Sequence, residues 1–181
     1  MKTRLIIIAV FLTLVSNVIC PFSYAADLTL NNTPAQVYFS PKGGCTEAII
    51  NELGKAKTEI LVQAYTLTSA PIVKALLNAH KKKIKVEVIL DKSQRSEKYT
   101  SATFFANSGI STFIDDKHAI AHNKIMIIDR ETMITGSFNF TKNADERNAE
   151  NLLIIRNKDL AKAYLENWNK HREHSEAYER R

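Results

Sequence analysis

The sequence predicts an α/β fold, a single domain in which helices flank a mixed β-sheet. Short apolar segments with strand periodicity alternate with segments of helical periodicity through the first two thirds of the chain. Two further apolar segments, 123–128 and 132–135, are joined by the tight turn 129–131, which predicts a β-hairpin. Parallel strands need helical crossovers whereas a hairpin is antiparallel, so the sheet is expected to be mixed.

Each predicted strand rests on a local pattern. The segments 35–39 and 59–65 are apolar, and in 84–90 apolar residues alternate with charged ones. A short strand is predicted at 111–114, and a last strand at 151–155 follows the hairpin and a polar loop.

Four helices are expected between and after these strands. Ser69 is a suitable N-cap, and Pro71 fits the first turn that follows it. Gly109 is expected to end the third helix, and residues 174–181 are expected to be frayed or solvated. The helices are predicted at 46–56, after Ser69, at 96–107 and at 159–172, the last with a stripe of apolar residues that includes Trp168.

The N-terminal segment is predicted to be a secretory signal peptide. Lys2 and Arg4 precede an apolar segment, 5–15, and small residues stand before the predicted cleavage point. The apolar segment is short for a membrane span, which disfavours an uncleaved anchor. We therefore expect residues 1–25 to be removed and residues 26–181 to act as a nuclease domain in the periplasm, without stable membrane association.

Cysteine content and charge give weaker indications. After cleavage Cys45 is the one cysteine left, so no intrachain disulfide is expected and Cys45 is expected to be a small buried apolar residue. The formal net charge is +6, and removal of the predicted signal peptide would lower it by two, because Lys2 and Arg4 lie in that segment. The remaining bias is compatible with a polyanionic substrate but does not identify a nucleic-acid-binding protein by itself.

Polar residues suited to phosphate chemistry are concentrated between residues 122 and 139. His122 and Lys124 are two residues apart, which puts both side chains on one face of an extended strand. Ser137 and Asn139 repeat this spacing after Gly136. An imidazole, a fixed cation and two neutral hydrogen-bonding groups can together bind and attack a phosphoryl group.

The full pattern resembles the HKD signature of the phospholipase D superfamily, reading His122-x-Lys124-x4-Asp129-x6-Gly136-Ser137-x-Asn139. In length, predicted signal peptide and single motif, the chain is most similar to the small bacterial periplasmic endonucleases of that superfamily. The resemblance implies a phospholipase D-like fold and the hydrolysis of phosphodiester bonds, with 5′-phosphate products.

The residues are compatible with a metal-independent reaction. The sequence shows no convincing carboxylate cluster for two metal ions, so we expect no cofactor and activity that resists EDTA. Lys124 and Asn139 would stabilise the non-bridging oxygens, and His122 would attack phosphorus to form a phosphohistidine. Glu150 resembles the downstream acidic residue of the superfamily and is the candidate acceptor that orients His122.

The other motif residues are expected to have supporting roles. Ser137 is expected to hydrogen-bond a substrate oxygen or its neighbours. Asp129, although part of the signature, is interpreted as structural and is expected to cap the turn 129–131. Gly136 is expected to provide room for the backbone.

One complete motif supplies half of the groups that the reaction needs. In-line displacement requires a nucleophile on one side of phosphorus and a proton donor on the other. The other His-x-Lys sequence begins at His80, lacks the rest of the pattern and is interpreted as a helix end followed by a basic turn. We therefore expect a homodimer whose twofold axis passes through the active site, with His122 of each protomer taking part.

A sequence-nonspecific endonuclease acting on DNA, with RNA as a further candidate substrate, is the function predicted by these features. A phospholipase D acting on lipid headgroups is the nearest alternative, disfavoured by the small size of the chain and the lack of an amphipathic membrane-binding helix. A non-catalytic nucleic-acid-binding relic is disfavoured because every chemical position of the motif is intact.

Several neighbouring residues have two interpretations. Asp115-Asp116 and His118 could join His122 in a metal site, but their spacing matches no strong ligand signature, so a polar loop is expected. Tyr65 and Asp91 end two strands and either line the cleft or cap the strands. Phe138 and Phe140 are expected to pack in the core or a dimer interface rather than stack on bases.

Overall fold

The computed structural model describes residues 27–96 and 100–179. Its strands are β1 (Ala35–Ser40), β2 (Glu59–Ala64), β3 (Lys85–Asp91), β4 (Ser111–Asp115), β5 (Lys124–Ile128), β6 (Thr132–Gly136), β7 (Glu150–Arg156) and β8 (Glu176–Ala177). Its helices are α1 (Cys45–Lys55), α2 (Ala70–Lys81), α3 (Ala102–Asn107), α4 (Lys142–Glu146) and α5 (Lys158–His174), with a 3₁₀ turn at Lys92–Arg95. The predicted signal peptide lies outside the described residues.

The strands form one mixed sheet of eight in the order β1-β7-β6-β5-β2-β3-β4-β8. The pairs β2–β3 and β3–β4 are parallel, and α2 and α3 make the crossovers between them. The other pairs are antiparallel, including the predicted hairpin β5–β6. The predicted α/β fold with a mixed sheet is therefore confirmed.

The three-residue connection 129–131 begins with a tight β-turn, in which Glu131 N donates to Ile128 O at 3.0 Å. Asp129 and Arg130 both have positive φ, 52° and 55°. Two such residues in succession match the twist of the flanking strands, as in a type I′ turn.

Alternation along the central strands divides the apolar side chains between the two faces of the sheet. On one face, Ile60 and Val62 belong to a large cluster that also contains buried residues of α1, α2 and α3. Cys45, the first residue of α1, is one of them. On the other face, Leu61 packs with Trp168 and other residues of α5. Helices thus cover both faces, as expected for a sheet with central parallel strands.

The third helix is shorter than the sequence predicted. Instead of a helix over 96–107, a 3₁₀ turn ends at Arg95 and α3 begins at Ala102; residues 97–99 lie outside the described part. The carboxylate of Asp91 accepts a hydrogen bond from Ser93 N at 2.9 Å and so stabilises the 3₁₀ turn. Ser69 does precede α2, but its side chain makes no cap hydrogen bond.

Residues 175–179 are ordered by the sheet and are not frayed, although Glu176 and Ala177 are exposed to solvent; residues 180 and 181 lie outside the described part. Glu176–Ala177 form β8 and pair with the edge of β4. Tyr178 is buried, its N–H donates to Thr112 O at 2.8 Å, and its hydroxyl lies 2.8 Å from Thr103 Oγ1. Within residues 27–96 and 100–179, no helix combines the length and apolarity needed to cross a bilayer.

Truncating Trp168 is expected to weaken the α5 face of the sheet strongly. The indole is 2% exposed, and its Nε1–H donates to Val62 O at 3.1 Å. Trp168→Ala should lower the free energy of unfolding by about 3–5 kcal/mol, because both packing and a buried hydrogen bond are lost. Urea unfolding measures this, with the exposed Phe104→Ala as the control; equal effects of the two substitutions would contradict the prediction.

Candidate active site

Six motif and motif-related residues line one open cleft with a volume of about 320 Å³. The cleft lies where β5 begins, β6 ends and β7 begins. Because these three strands are antiparallel neighbours, these strand ends lie side by side at one end of the sheet. The lining residues are His122, Lys124, Gly136, Ser137, Asn139 and Glu150.

Gly136 permits the close approach of β6 and β7 at this edge. Its φ is 144°, and a Cβ at this position would lie 2.3 Å from Asn151 O. No side chain fits at that distance, so the expected role of Gly136 in providing backbone room agrees with the geometry. Ser137 N and Phe138 N then donate to the same Asn151 O, at 3.1 and 3.2 Å.

Lys124 places a buried positive charge beside an exposed imidazole. Its Nζ donates to His122 O at 2.9 Å and lies 5.4 Å from the centre of the Tyr65 ring. Burial lowers the pKa of Lys124, and the nearby charge of Glu150 opposes this shift. In the described part of the chain Lys124 makes no salt bridge, so its charge is available to an anion in the cleft.

His122 lies just before β5 and is exposed. Its ring centroid is 4.7 Å from that of Tyr65, with the rings tilted by 55°. Tyr65 therefore supports the imidazole from one side, which agrees with the interpretation that the end of β2 lines the cleft. The backbone is held as well, because Tyr65 N donates to Asn123 O at 2.8 Å.

Glu150 is held by Ser137 and Asn148. Its Oε2 accepts from Ser137 Oγ at 2.6 Å, and its Oε1 accepts from Asn148 Nδ2 at 3.1 Å. The predicted contact between Glu150 and His122 is absent among the described residues, because both carboxylate oxygens already face neutral donors. The hydroxyl of Ser137 bonds to neighbouring residues, one of the two expected roles, since it donates to Glu150 and its oxygen accepts from Asn151 N at 3.1 Å.

Asn139 is the one amide in the cleft. Its Oδ1 is buried without a hydrogen-bond partner among the described residues. The flanking Phe138 and Phe140 are fully buried in the core, so alternation turns Ser137 and Asn139 towards the cleft. The prediction that the two phenylalanines pack in the core is confirmed.

Comparison with known proteins shows which family has this fold and motif. The family described as “Cardiolipin synthase, PLD-like domain” matches residues 49–172, which contain the whole motif. The chain belongs to the phospholipase D superfamily. A relative named “Phospholipase D” from Rickettsia conorii is 43% identical over 139 residues, which cover 77% of this chain and 70% of the relative. The superfamily makes the chain a phosphodiesterase-type hydrolase.

Two solved structures have the same fold as this chain. The phospholipase D family member Nuc from Salmonella typhimurium superposes with a TM-score of 0.78 at 35% identity, covering 81% of this chain and 99% of Nuc. NucT from Helicobacter pylori superposes with a TM-score of 0.74 over 81% of this chain and 99% of its own. At 20% identity, the second match concerns the fold alone.

The signature aspartate lies at the far end of β5, away from the cleft. Asp129 does not cap its own turn as predicted. Its carboxylate instead accepts from Lys57 N at 2.9 Å, Thr58 N at 2.8 Å, Thr58 Oγ1 at 2.8 Å and Glu59 N at 3.1 Å. Asp129 therefore ties the hairpin to the start of β2, a structural role that local sequence could not assign because its partners lie 70 or more residues away.

Asp91 positions the segment that leads into the motif. Its side chain is buried, and its Oδ2 accepts from Ala121 N at 2.7 Å, immediately before His122. Of the two interpretations given by the sequence, a strand-end cap fits this geometry. The second His-x-Lys sequence, at His80, falls at the end of α2 as interpreted.

A second cluster of titratable side chains was only partly considered in the sequence analysis, which weighed Asp115 and His118 as metal ligands, preferred a polar loop and did not include His171 or His174. The carboxylate of Asp115 is fully buried, and His118, His171 and His174 surround it. Burial would raise the pKa of Asp115, but hydrogen bonds from His171 and His118, together with the neighbouring imidazole of His174, outweigh it and lower the pKa to about 2. His122 is not part of this group. The i, i+3 spacing of His171 and His174 on α5 was a signal that could have indicated it.

Replacing Asp129 is expected to destabilise the chain in a pH-dependent manner. Burial would raise the pKa of Asp129, but hydrogen bonds from Thr58, Glu59 and Lys57 outweigh it and lower the pKa. The contribution of Asp129 is therefore complete above its unfolded pKa of about 3.9 and is lost as the pH falls through its folded pKa. At pH 7, Asp129→Asn should lower the free energy of unfolding by about 1–3 kcal/mol.

Urea unfolding of both proteins at neutral and acidic pH measures this difference. It should be largest near pH 7 and shrink below about pH 4. Asp27→Asn, at an exposed position, is the control for removal of one carboxylate. A difference that is constant from pH 7 to pH 2 would show that the ionised form of Asp129 has no special role.

Proposed function

We propose that this protein is a metal-independent, sequence-nonspecific endonuclease that hydrolyses phosphodiester bonds of DNA, with RNA as a further candidate substrate. The observation that carries the proposal is that exposed His122 shares one open cleft with the buried charge of Lys124, which makes no salt bridge within residues 27–96 and 100–179. The predicted signal peptide, residues 1–25, would deliver the enzyme to the periplasm.

The cleft residues account for both steps of a double displacement. A nitrogen of His122 attacks phosphorus, and a P–N bond forms as the P–O bond to the leaving alkoxide breaks. Lys124 and the amide of Asn139 stabilise charge on the non-bridging oxygens. Water then attacks the phosphohistidine, the P–N bond breaks, and the phosphomonoester leaves with His122 restored.

The proton transfers require a second imidazole, which we assign to His122 of the partner subunit. It protonates the leaving alkoxide in the first step and takes a proton from the attacking water in the second, so that it returns to its starting state. A twofold axis through the cleft would bring the two motifs face to face. In support, Ile120, Phe39 and Val37 are exposed apolar residues, and Phe39 precedes Ser40, whose Oγ accepts from Glu150 N at 3.2 Å.

Nucleic acid is preferred as substrate because the cleft is polar and open and the chain stays basic without residues 1–25, which hold two of the positive charges in the net charge of +6. The similarity in length and single motif to the small endonucleases of the superfamily points the same way. The relative named “Phospholipase D” favours lipid phosphodiesters as a second candidate. A non-catalytic binding protein is the least supported, since no chemical position of the motif is altered.

The purified protein is expected to degrade plasmid DNA in excess EDTA and to leave phosphatidylcholine intact. Removing the charge with Lys124→Met should lower kcat about 10²–10³-fold, because the non-bridging oxygens lose their cation. Lys162→Met removes the same charge from the exposed surface of α5 and should have little effect. Gel assays and a choline-release assay provide the measurements.

Each other outcome of this assay selects a different function. Turnover of lipid alone would establish the phospholipase, and inactivity on both substrates would establish the binding protein. Loss of DNA cleavage in EDTA, with the fold intact by circular dichroism, would refute the metal-independent reaction.

Heterodimers of wild-type and His122→Ala chains are expected to be almost inactive. Each shared site would lack either its nucleophile or its proton donor, so one intact chain cannot complete the reaction. Two affinity tags allow the heterodimer to be purified, and sedimentation verifies its mass. Heterodimers with His80→Ala chains serve as the control and should keep full activity, whereas half of the wild-type rate in the His122→Ala heterodimer would show two independent sites.

A further inference from the structure

A compact group of four side chains lies at the C-terminal end of β4. Its members are Asp115, His118, His171 and His174. Asp115 ends β4, His118 lies in the following loop, and His171 and His174 lie in the last turn of α5. One ligand atom from each side chain lies within 4.8 Å of the others. Three imidazoles around one carboxylate form a donor set that suits Zn²⁺ and related divalent transition metals.

The distances around Asp115 are close to those of a tetrahedral zinc site. His171 Nδ1 is 2.7 Å from Asp115 Oδ2, His118 Nδ1 is 3.0 Å from Oδ1, and His174 Nε2 is 3.3 Å from Oδ1. Ligand atoms about 2.0–2.1 Å from a tetrahedral zinc lie about 3.3 Å apart, by simple geometry. Because the four ligand atoms already lie within 4.8 Å of one another, side-chain rotations that move them by about 1 Å would bring them to zinc-binding separations.

One ring nitrogen of the group lacks a hydrogen-bond partner among the described residues. His174 Nε2 is buried, yet it makes no hydrogen bond of acceptable geometry among the described residues, although it lies 3.3 Å from Asp115 Oδ1. A buried polar atom without a partner is costly. A cation at the centre of the group would satisfy this nitrogen together with the others.

An ion could enter the group from solvent. The side chain of His118 is 45% exposed and that of His174 is 32% exposed, whereas Asp115 is fully buried. The buried carboxylate would supply the negative charge, and the exposed imidazoles would close over the ion. No proton needs to leave the protein when neutral imidazoles bind, because the proton can reside on the opposite ring nitrogen of each.

We propose that Asp115, His118, His171 and His174 form a structural binding site for Zn²⁺ that is separate from the active-site cleft. None of the four residues lines the cleft. The site lies at the end of β4, which is three strands away from β5 in the sheet order β5-β2-β3-β4. Three strand spacings correspond to roughly 14 Å. The metal would join the end of α5 to the edge of the sheet and take no part in phosphodiester chemistry.

The test uses the full chain purified without a histidine tag, stripped with EDTA and then freed of chelator. Added Co²⁺ should give the visible bands of a tetrahedral site at one ion per chain, and Zn²⁺ should displace it. At Zn²⁺ concentrations a hundredfold above Kd, the Tm should rise by about 5–10 °C, because the ion binds only the folded state.

Matched variants identify the ligands. His174→Gln removes one ligand but keeps a hydrogen-bond donor near Asp115, and it should abolish the Co²⁺ bands and the rise in Tm. His122→Ala and His80→Gln remove histidines outside the group and should leave both signals unchanged. The absence of tetrahedral bands in folded wild-type protein, or their loss in His122→Ala and survival in His174→Gln, would overturn the proposal.

Discussion

The geometry of the cleft depends on the close approach of β6 and β7 at Gly136. With a Cβ 2.3 Å from Asn151 O, no other residue would let the two strands stay paired up to the edge of the sheet. The same carbonyl accepts from Ser137 N and Phe138 N. This turn aims Ser137 at Glu150 and buries Phe138, and Asn139 lines the same cleft as Lys124.

The acidic residues near the motif are satisfied by neutral donors, and none of those in the described part of the chain makes a salt bridge with Lys124. Asp129 is held by the backbone of 57–59, Asp91 by Ser93 and Ala121, and Glu150 by Ser137 and Asn148. Lys124 is buried and contacts only a carbonyl and the Tyr65 ring among the described groups. A cleft with a desolvated cation favours an anionic ligand such as a phosphodiester.

The parts of the fold predicted from the sequence are those with local causes. The hairpin β5–β6 was predicted because a tight polar turn separates two apolar segments, and α1 and α2 were predicted from helical periodicity. The helix predicted over 96–107 begins only at Ala102 in the described part of the chain, and a separate 3₁₀ turn stabilised by the carboxylate of Asp91 precedes it at Lys92–Arg95. The prediction of a frayed tail was wrong for Glu176–Ala177, because these residues are ordered by pairing with β4, which is distant in sequence.

The sequence by itself determined the superfamily, the α/β class and the residues that line the cleft, since the motif spacing and strand alternation are properties of neighbouring residues. Only the tertiary structure decided where the side chains of Asp129 and Glu150 point, and that Asp115 and His118 meet His171 and His174. The reason is physical: a side chain bonds to whatever the fold brings within about 3 Å. The partners of Asp115 on α5 are 56 or more residues away along the chain.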